Sequence, residues 1–367
     1  MEKTLFVPGS AAVAAPAVRV GHFISFEYEG EHRRVRIGPE GLTVGREPSC
    51  DIVLAVPAVS RNHCRIALEG HSVVVSDLGS TNGSTVGGRR IERPTRLHNG
   101  AHVAVGPYLL TYEQRDERQI DEEARLSGEL REAVRYVRAI LPEPIATGAV
   151  QTEWWYVPSS ELGGDAFGYQ FLDETTLVGF LIDVTGHGIG SGMHAANVAN
   201  VLRRRALAGV DFRDPGQIAD GLNAMFPMED YDGMMFTAWV FVYEAVSRLL
   251  KFCSAGHHPS YLVAPGKADA APLWRKAPTV GMLPTRNWTV GEATIEPGSR
   301  LYVFSDGCFE VVDAKGAQWE IEDLRRIIQA GPTPDVGEAQ RLYQAVRAAA
   351  RPGPLADDFS ALVLHFA

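Results

Sequence analysis

Aspartates in four short contexts are the residues of this 367-residue chain best suited to chemistry. The contexts are Gly163-Gly164-Asp165, Asp183-Val184-Thr185-Gly186-His187-Gly188, Ser305-Asp306-Gly307 and Asp357-Asp358-Phe359-Ser360. Three of them end a strongly apolar segment or directly precede one, as residues at strand ends do. Carboxylates gathered there would repel one another unless cations lay between them, and hard oxygen ligands suit Mg²⁺ or Mn²⁺. Two such ions could activate a water for attack on a phosphoryl group. A single Asp-Gly is most often only a turn, so the prediction depends on all four contexts.

A second set of residues in the N-terminal third could read a phosphate group. It consists of Val44-Gly45-Arg46, Ser60-Arg61-Asn62-His63, the segment from Asp77 to Gly83, and Asn99-Gly100. The guanidinium groups of Arg46 and Arg61 could bind a phosphate dianion, and Ser60 could donate its hydroxyl. Asn82 could hold a peptide backbone, although Asn-Gly is also the commonest hairpin dipeptide. We expect His63 to be a structural hydrogen-bonding residue.

Three kinds of element must position these residues. From His22 to about Glu113 many short β-type segments alternate with turn clusters, which predicts a sandwich or barrel of strands. Residues 115–141 are highly charged with apolar residues at helical spacing, which predicts an amphipathic linker helix too short to assign as a coiled coil. From about Ala146 to Ala367 strands alternate with helices, including a helix from about Met193 to Ala208, which predicts α+β layers.

We therefore divide the chain into a mobile N-terminal tail (1–20), an all-β domain (21–114), a linker helix (115–142) and an α+β domain (143–367). The tail resembles a secretory signal only weakly, because Pro8-Gly9-Ser10 interrupts its alanine-rich run. The hydrophobic fraction of 45% excludes wholesale disorder. The formal charge of −10 disfavours a nucleic-acid partner. No apolar stretch is long enough to predict a membrane span. Four scattered cysteines, without a CxxC pair, predict a cytoplasmic location.

The second set, in the N-terminal third, resembles the forkhead-associated (FHA) domain, which shows GR, SRxH, a GSTNG-like loop and NG in this order. The resemblance covers about residues 22–113. It implies binding of a phosphothreonine-containing protein, with phosphate contacts from Arg46, Ser60 and Arg61. It also implies peptide or phosphate contacts from Thr81 and Asn82, whereas Gly45 and His63 match structural positions.

Residues 143–367 resemble the metal-dependent protein phosphatases (PPM, type 2C), in particular the bacterial branch typified by the sporulation stage II phosphatase. The matching segments are GGD ending at Asp165, DVTGHG from Asp183, AGHHP at Ala255–Pro259, GMLP at Gly281–Pro284, SDG around Asp306, and DDFS. The resemblance implies an α/β/β/α sandwich after the FHA sandwich. It also implies two divalent cations, Mn²⁺ or Mg²⁺, and hydrolysis of phosphoserine or phosphothreonine by metal-activated water. The chain departs from the branch at Ala166-Phe167-Gly168.

By this resemblance Asp183 and Asp306 are the catalytic residues that share the metals, and the Val184 carbonyl is a backbone ligand. Asp357 is the terminal ligand with Asp358 as the second choice, and Asp165 acts through metal-bound water. Four further residues lie in or near these motifs. His187 is a candidate proton donor at a position where the family often has Lys, Cys308 is a bystander, and His257 and His258 are structural.

The leading interpretation is a Mg²⁺/Mn²⁺-dependent protein serine/threonine phosphatase targeted by an FHA domain. Candidate substrates are a Ser/Thr kinase, its target or an anti-sigma-factor antagonist, and the linker helix is a candidate homodimer contact. One alternative is a phosphopeptide-binding scaffold whose phosphatase fold is inactive. Another keeps the enzyme but gives it a small-molecule phosphate ester.

Overall fold

The computed structural model describes residues 20–70, 72–186, 188–284 and 288–367, without the side chains of residues 117, 121, 124 and 127. The predicted tail, apart from Val20, and the candidate proton donor His187 lie outside the described residues. The chain forms two compact units, one ending at Glu129 and the other beginning at Leu130. In the described part of the chain no helix is both long and apolar enough to cross a lipid bilayer.

The first unit is built from strands in two sheets. The strands are β1 (Val20–Tyr28), β2 (Glu31–Arg36), β3 (Leu42–Gly45), β4 (Ile52–Val53), β5 (Cys64–Glu69), β6 (Ser72–Asp77), β7 (Ser84–Val86), β8 (Arg89–Arg90), β9 (Thr95–Leu97), β10 (His102–Val105) and β11 (Tyr108–Asp116). One sheet has the order β2-β1-β11-β10-β7-β8 and the other β4-β3-β5-β6-β9. Apolar residues such as Ile24, Val44, Ile66 and Val103 are fully buried in one shared core. The predicted all-β sandwich is confirmed.

Helix α1 (Glu117–Arg138) lies across the boundary between the units. Its exposed surface carries Arg125 within 2.6 Å of both Glu122 and Glu129, and such exposed pairs contribute little to helix stability. Val137, near its end, packs with the following Ile140 against the core of the second unit. The helix thus occupies most of the predicted linker and ends before Pro142, as a following proline favours.

The second unit is a four-layer arrangement of two sheets between two pairs of helices. Its elements after α1 are β12 (Val150–Val157), β13 (Asp165–Phe171), β14 (Thr176–Val184), α2 (Ile189–Arg203), α3 (Pro215–Met225), β15 (Phe236–Glu244), β16 (Leu249–Ala255), β17 (Ser260–Val263), β18 (Ala270–Leu273), β19 (Gly291–Thr294), β20 (Arg300–Phe304), α4 (Ile321–Gln329), α5 (Glu338–Ala349) and β21 (Phe359–Phe366). The sheets have the orders β13-β14-β15-β16-β19 and β12-β21-β20-β17-β18.

Three buried clusters hold these layers together. One joins α2 and α3 to the β13–β19 sheet, one lies between the sheets, and one joins the other sheet to α4 and α5. Strand β14 reads TLVGFLIDV and is buried along almost its whole length because it has a neighbouring layer on each face. The predicted α/β/β/α sandwich is confirmed, and both sheets deliver strand ends to the candidate site.

Helix α2 differs from its predicted bounds of Met193 to Ala208. It begins at Ile189, directly after Gly188 with φ of 95°, and ends at Arg203, before Arg205 with φ of 53°. Gly190 and Gly192 belong to the helix, and Gly192 permits close packing. A Cβ on Gly192 would lie 2.6 Å from the Cβ of Leu162. The glycine-rich segment therefore begins a helix instead of delaying it.

Candidate metal centre and phosphate-binding loops

Asp165 and Asp183 face each other on neighbouring strands. Asp165 begins β13 and pairs with Asp183 near the end of β14 in the antiparallel register. Directly opposed residues project their side chains on the same side of a sheet, so two like charges meet here. Asp165 is only 5% exposed, and the Ser360 hydroxyl donates to its Oδ2 at 2.6 Å. The contact with Ser360 ties this sheet edge to β21 of the other sheet.

The second pair of strand ends is fastened by Ser305. Asp306 follows Ser305 at the end of β20, and Asp357 lies just before β21, the neighbouring strand. The Ser305 hydroxyl donates to the Asp358 carbonyl oxygen at 2.9 Å and accepts the Ser360 N–H at 3.1 Å. This buried serine therefore sets the spacing between the two acidic turns.

The carboxylates of the two sheets act on one another electrostatically. Burial, reinforced by the charges of Asp306 and Asp357, raises the pKa of Asp183 to about 8. Burial together with the charges of Asp357 and Glu310 raises the pKa of Asp306 to about 7. Burial and the charge of Asp183 also raise the pKa of Asp165 well above its ordinary value. Residues far apart in sequence thus share one region of negative potential, as a cation site requires.

The glycines of these motifs are required by close approach. A Cβ on Gly163 would lie 2.6 Å from Asp358 Oδ2, and one on Gly307 would lie 2.2 Å from the Asp358 carbonyl oxygen. A Cβ on Gly164 would lie 2.9 Å from the Val184 carbonyl oxygen. Contacts this short exclude any side chain, so the GGD and SDG glycines allow the acidic loops to meet.

Asp357 and Asp358 have different surroundings. Asp358 is 3% exposed, and its Oδ1 accepts the backbone N–H and the hydroxyl of Ser159 at 2.6 and 2.9 Å. Its Oδ2 accepts the Gly164 N–H at 2.5 Å. Asp357 is half-buried and contributes to the potential at both Asp183 and Asp306. The geometry therefore favours Asp357 as a ligand, whereas Asp358 holds the loop before β13 in place.

Glu310 is an acidic residue of this site that the sequence analysis missed. Its charge raises the pKa of both Asp183 and Asp306. Its N–H donates to the Asp306 carbonyl at 2.7 Å, which places Glu310 one helical turn after that aspartate. Its i, i+4 spacing from Asp306 could have identified it, because residues at this spacing are neighbours on a helical turn.

The remaining candidates have structural environments. Cys308 is fully buried, its pKa is raised well above the ordinary value by burial, and its thiol donates to the Ser360 carbonyl at 3.4 Å. A thiol held protonated in this way is a poor nucleophile. Burial lowers the pKa of His257 to about 4 and that of His258 well below its ordinary value. The His258 ring packs on Phe304 and Phe309.

The candidate ligands suit a hard divalent cation, because carboxylate oxygens are its preferred ligands. The positive charge of a cation would also offset the repulsion among them. Among the described residues, however, no three Asp, Glu, His or Cys side chains lie close enough together to enclose one ion. The described carboxylates therefore surround a common region without converging on a single point.

In the first unit, backbone contacts join the loop after β3 to the turn at Ser60 and Arg61. The Arg46 N–H donates to the Ser60 carbonyl at 3.0 Å, and the Glu47 N–H donates to the Arg61 carbonyl at 3.2 Å. A Cβ on Gly45 would lie 2.0 Å from that Arg61 oxygen, so Gly45 is required for the approach. The side chains of Arg46 and Arg61 are exposed and make no hydrogen bond or ion pair within the described chain.

The loop between β6 and β7 closes onto the same turn. The Thr81 N–H donates to the Ser60 hydroxyl at 3.0 Å, and the Asn82 amide donates to the Ala58 carbonyl at 2.9 Å. Buried His63 accepts the Ser60 N–H through Nδ1 at 3.1 Å and lies 3.2 Å from the Gly83 carbonyl through Nε2. All five candidate residues thus lie in one connected set of loops, with His63 beneath them in a structural role.

Comparisons with known proteins agree with this geometry. The FHA domain family model matches residues 42–106, and the model of stage II sporulation protein E (SpoIIE) matches residues 173–367. Phosphoserine phosphatase RsbP of Bacillus subtilis (strain 168) is 25% identical over 183 residues, which are 50% of this chain but only 45% of RsbP. Phosphoserine phosphatase RsbU of the same organism is 21% identical over 270 residues, or 72% of this chain and 77% of RsbU.

A solved structure shows the same fold in the second unit. The SiaA-PP2C domain of Pseudomonas aeruginosa superposes with a TM-score of 0.58 at 18% identity, covering 67% of this chain and 98% of that domain. Because the SpoIIE match extends over more than half of the 367 residues, the chain belongs to the SpoIIE family, with a SpoIIE-type PPM phosphatase domain preceded by an FHA domain.

Proposed function

We propose that the second unit is a Mg²⁺/Mn²⁺-dependent serine/threonine phosphatase that hydrolyses phosphoserine or phosphothreonine in a protein. The observation that carries the proposal is the convergence of acidic side chains from both sheets: Asp183 lies opposite Asp165 in one sheet, and the charges of Asp306 and Asp357 from the other sheet raise its pKa. A site with this excess of negative charge is built to receive cations. The relatives RsbP and RsbU are phosphoserine phosphatases, which supports the same chemistry.

The chain's own residues would divide the work as follows. Asp183, Asp306 and Asp357 would hold two divalent cations, with the Val184 carbonyl as a backbone ligand. When bound, the cations would supply charge neutralisation and an activated water for attack on phosphorus. Asp165, which accepts a hydrogen bond from Ser360, would act on the cations from the buried side of the site. Asp358 would hold the loop before β13 in place.

The two clefts of small-molecule size described in this unit lie away from the candidate metal ligands, which favours a protein substrate over a small phosphate ester. Small-molecule sites are usually cavities of about 300–1,000 Å³. Clefts of about 330 and 660 Å³ are present in this unit, but none of the candidate metal ligands lines them. A phosphorylated side chain on a protein surface can reach an acidic centre that lies outside such a cleft.

The first unit would dock on a phosphothreonine-containing protein through Arg46, Ser60, Arg61, Thr81 and Asn82. The unpaired, exposed guanidinium groups of Arg46 and Arg61 support an anionic ligand at this point. Tethering would raise the local concentration of substrate at the phosphatase unit. A Ser/Thr kinase, its target or an anti-sigma-factor antagonist would suit both units.

Hydrolysis of p-nitrophenyl phosphate by the full chain tests the enzyme proposal. We expect turnover with Mn²⁺ or Mg²⁺, none in EDTA, and a loss of at least about 100-fold in Asp183→Asn. Asp335→Asn is the matched control, because Asp335 is exposed and asparagine tolerates its positive φ of 63°. Equal turnover by the wild type and Asp183→Asn would refute the proposal.

A phosphopeptide-binding scaffold with an inactive phosphatase fold is the second candidate. It is favoured by the observation that no three described metal-binding side chains enclose one ion. The two candidates differ in cation binding, which calorimetric titration with Mn²⁺ measures independently of turnover. Micromolar binding that Asp183→Asn abolishes supports the enzyme, whereas no binding supports the scaffold.

A further inference from the structure

Arg90 lies against the phosphate-binding loops and was not among the residues singled out from the sequence. It belongs to the short strand β8, where it pairs with Thr85 of β7. A Cβ on Gly83 would lie 2.8 Å from Arg90 Nε and 2.9 Å from Cζ, so the guanidinium group covers this glycine. Gly83 directly follows Thr81 and Asn82, which places the charge of Arg90 beside two candidate peptide-binding residues.

The guanidinium group of Arg90 has no acidic partner. The side chain is exposed and makes no hydrogen bond or ion pair with the rest of the described chain. By contrast, Arg33 of the same unit pairs with Glu31 at 3.3 Å, and Arg34 pairs with Glu113 at 3.3 Å. The guanidinium group of Arg90 therefore lies beside Gly83, and its charge is unpaired within the described chain.

The carboxylate of Asp77, which begins the loop that contains Gly83, already accepts hydrogen bonds from that loop. Asp77 accepts the hydroxyl groups of Ser80 and Ser84 at 2.7 Å each, and the N–H of Gly79 at 2.9 Å. These bonds hold Asp77 beneath the loop, where it organises the turn and does not pair with Arg90. An incoming ligand would therefore meet an unneutralised guanidinium group on this side of the phosphate-binding loops.

We propose that Arg90 binds an acidic side chain of the docked peptide, so that the first unit prefers phosphothreonine sequences with an aspartate or glutamate close to the phosphorylated residue. A planar guanidinium group matches a carboxylate by two parallel hydrogen bonds. The inference rests on the proposed phosphothreonine binding by Arg46 and Arg61. It assigns Arg90 to selecting among phosphopeptides, a role separate from holding the phosphate.

Fluorescence anisotropy with a fixed peptide series tests this role. The peptides carry one phosphothreonine in an alanine background, with a single glutamate moved through each flanking position. They are titrated with the full chain in EDTA, which prevents metal-dependent hydrolysis during the measurement. We expect glutamate at one position to tighten binding about three- to fivefold, the size typical of an exposed ion pair.

The variants separate recognition from structure. Arg90→Ala should abolish the glutamate-dependent gain while leaving the alanine peptide's Kd unchanged, and Arg90→Glu should transfer the preference to a lysine at that position. Arg89→Ala is the matched control, since Arg89 is an exposed arginine that precedes Arg90 in β8 and faces the other side of the strand. It should retain the gain.

Four results overturn the inference: no glutamate position tightens binding, the gain survives in Arg90→Ala, Arg89→Ala loses it equally, or Arg90→Ala weakens the alanine peptide as much. The last would show that Arg90 only supports the loops. A failure of the proposed function itself looks different. In that case no phosphothreonine peptide binds in a way that depends on Arg46 and Arg61.

Discussion

Replacing Asp183 with asparagine should stabilise the metal-free phosphatase unit while removing its response to metal. The substitution keeps the size of the side chain and removes one charge from a crowded, buried set. The raised pKa of about 8 means that folding disfavours the charged form. With an ordinary value near 4 in the unfolded chain, the cost at pH 7 is about 4 kcal/mol. Part of this is repulsion shared with Asp306, so we expect a gain of about 2–4 kcal/mol.

The sign of the pH dependence follows from the direction of the shift. A carboxyl whose pKa is raised on folding leaves the folded state most favoured below the unfolded pKa, and this advantage disappears as the pH rises through the folded pKa. Wild-type stability in EDTA should therefore fall between about pH 4 and pH 8. The difference between Asp183→Asn and the wild type should be smallest near pH 4 and largest at pH 8.

Tryptophan fluorescence measures this in the full chain, because all six tryptophans lie in the second unit. Thermal unfolding in EDTA at pH 8 should give Asp183→Asn a Tm higher by on the order of 5–10 °C. Mn²⁺ should then raise the wild-type Tm and leave that of the variant nearly unchanged. The control Asp335→Asn should match the wild type throughout. A variant less stable than the wild type in EDTA at pH 8 would refute the reasoning.

Three further predictions address other parts of the structure. Gly307→Ala should destabilise the second unit by about 2 kcal/mol or more, because its Cβ would meet the Asp358 carbonyl, whereas Gly190→Ala has open space and should be neutral in the same unfolding assay. Asp358→Asn should lower the Tm, because an asparagine amide cannot accept all the hydrogen bonds that the Asp358 carboxylate accepts. Asp357→Asn should instead weaken Mn²⁺ binding in calorimetry while leaving the Tm nearly unchanged. If α1 forms a homodimer, Leu126→Glu, at a position 52% exposed, should convert it to a monomer in light scattering; a wild type already monomeric would end that hypothesis.

The sequence was most informative where one stretch of chain determines its own environment. The continuous apolar run of β14 and the alternating short strands of the first unit have few alternatives to buried sheets, so the fold class could be read directly. The ordered glycine-containing motifs also identified the acidic turns. The predicted start of α2 was wrong, because glycines such as Gly190 and Gly192 indicate a turn when only the local sequence is considered. In the structure Gly192 is part of the helix, where it leaves room for Leu162.

Finer distinctions depended on partners distant in sequence. Nothing local separates Asp357 from Asp358. Asp358 is identified as the loop-holding residue by Gly164, a contact that spans 194 residues. The role of Glu310 depends on its proximity to Asp183, which lies at the end of β14. The role of Arg90 depends on the position of β8, which brings its guanidinium group beside Gly83. Such contacts are properties of the assembled sheets, and no pattern within a short window contains them.

The central position of β21 has a consequence for how the protein is made. This strand lies between β12 and β20, and the residues just before it supply Asp357 and Asp358. As the ribosome extends the chain, β12 and β20 must wait with unpaired edges until the last strand of the unit emerges, a state prone to wrong association. The FHA sandwich, complete far earlier, can fold during synthesis and, if it binds phosphothreonine as proposed, can meet a phosphorylated protein at that stage. Recognition would thus mature before catalysis, so a ribosome-bound chain could engage a target while still unable to dephosphorylate it.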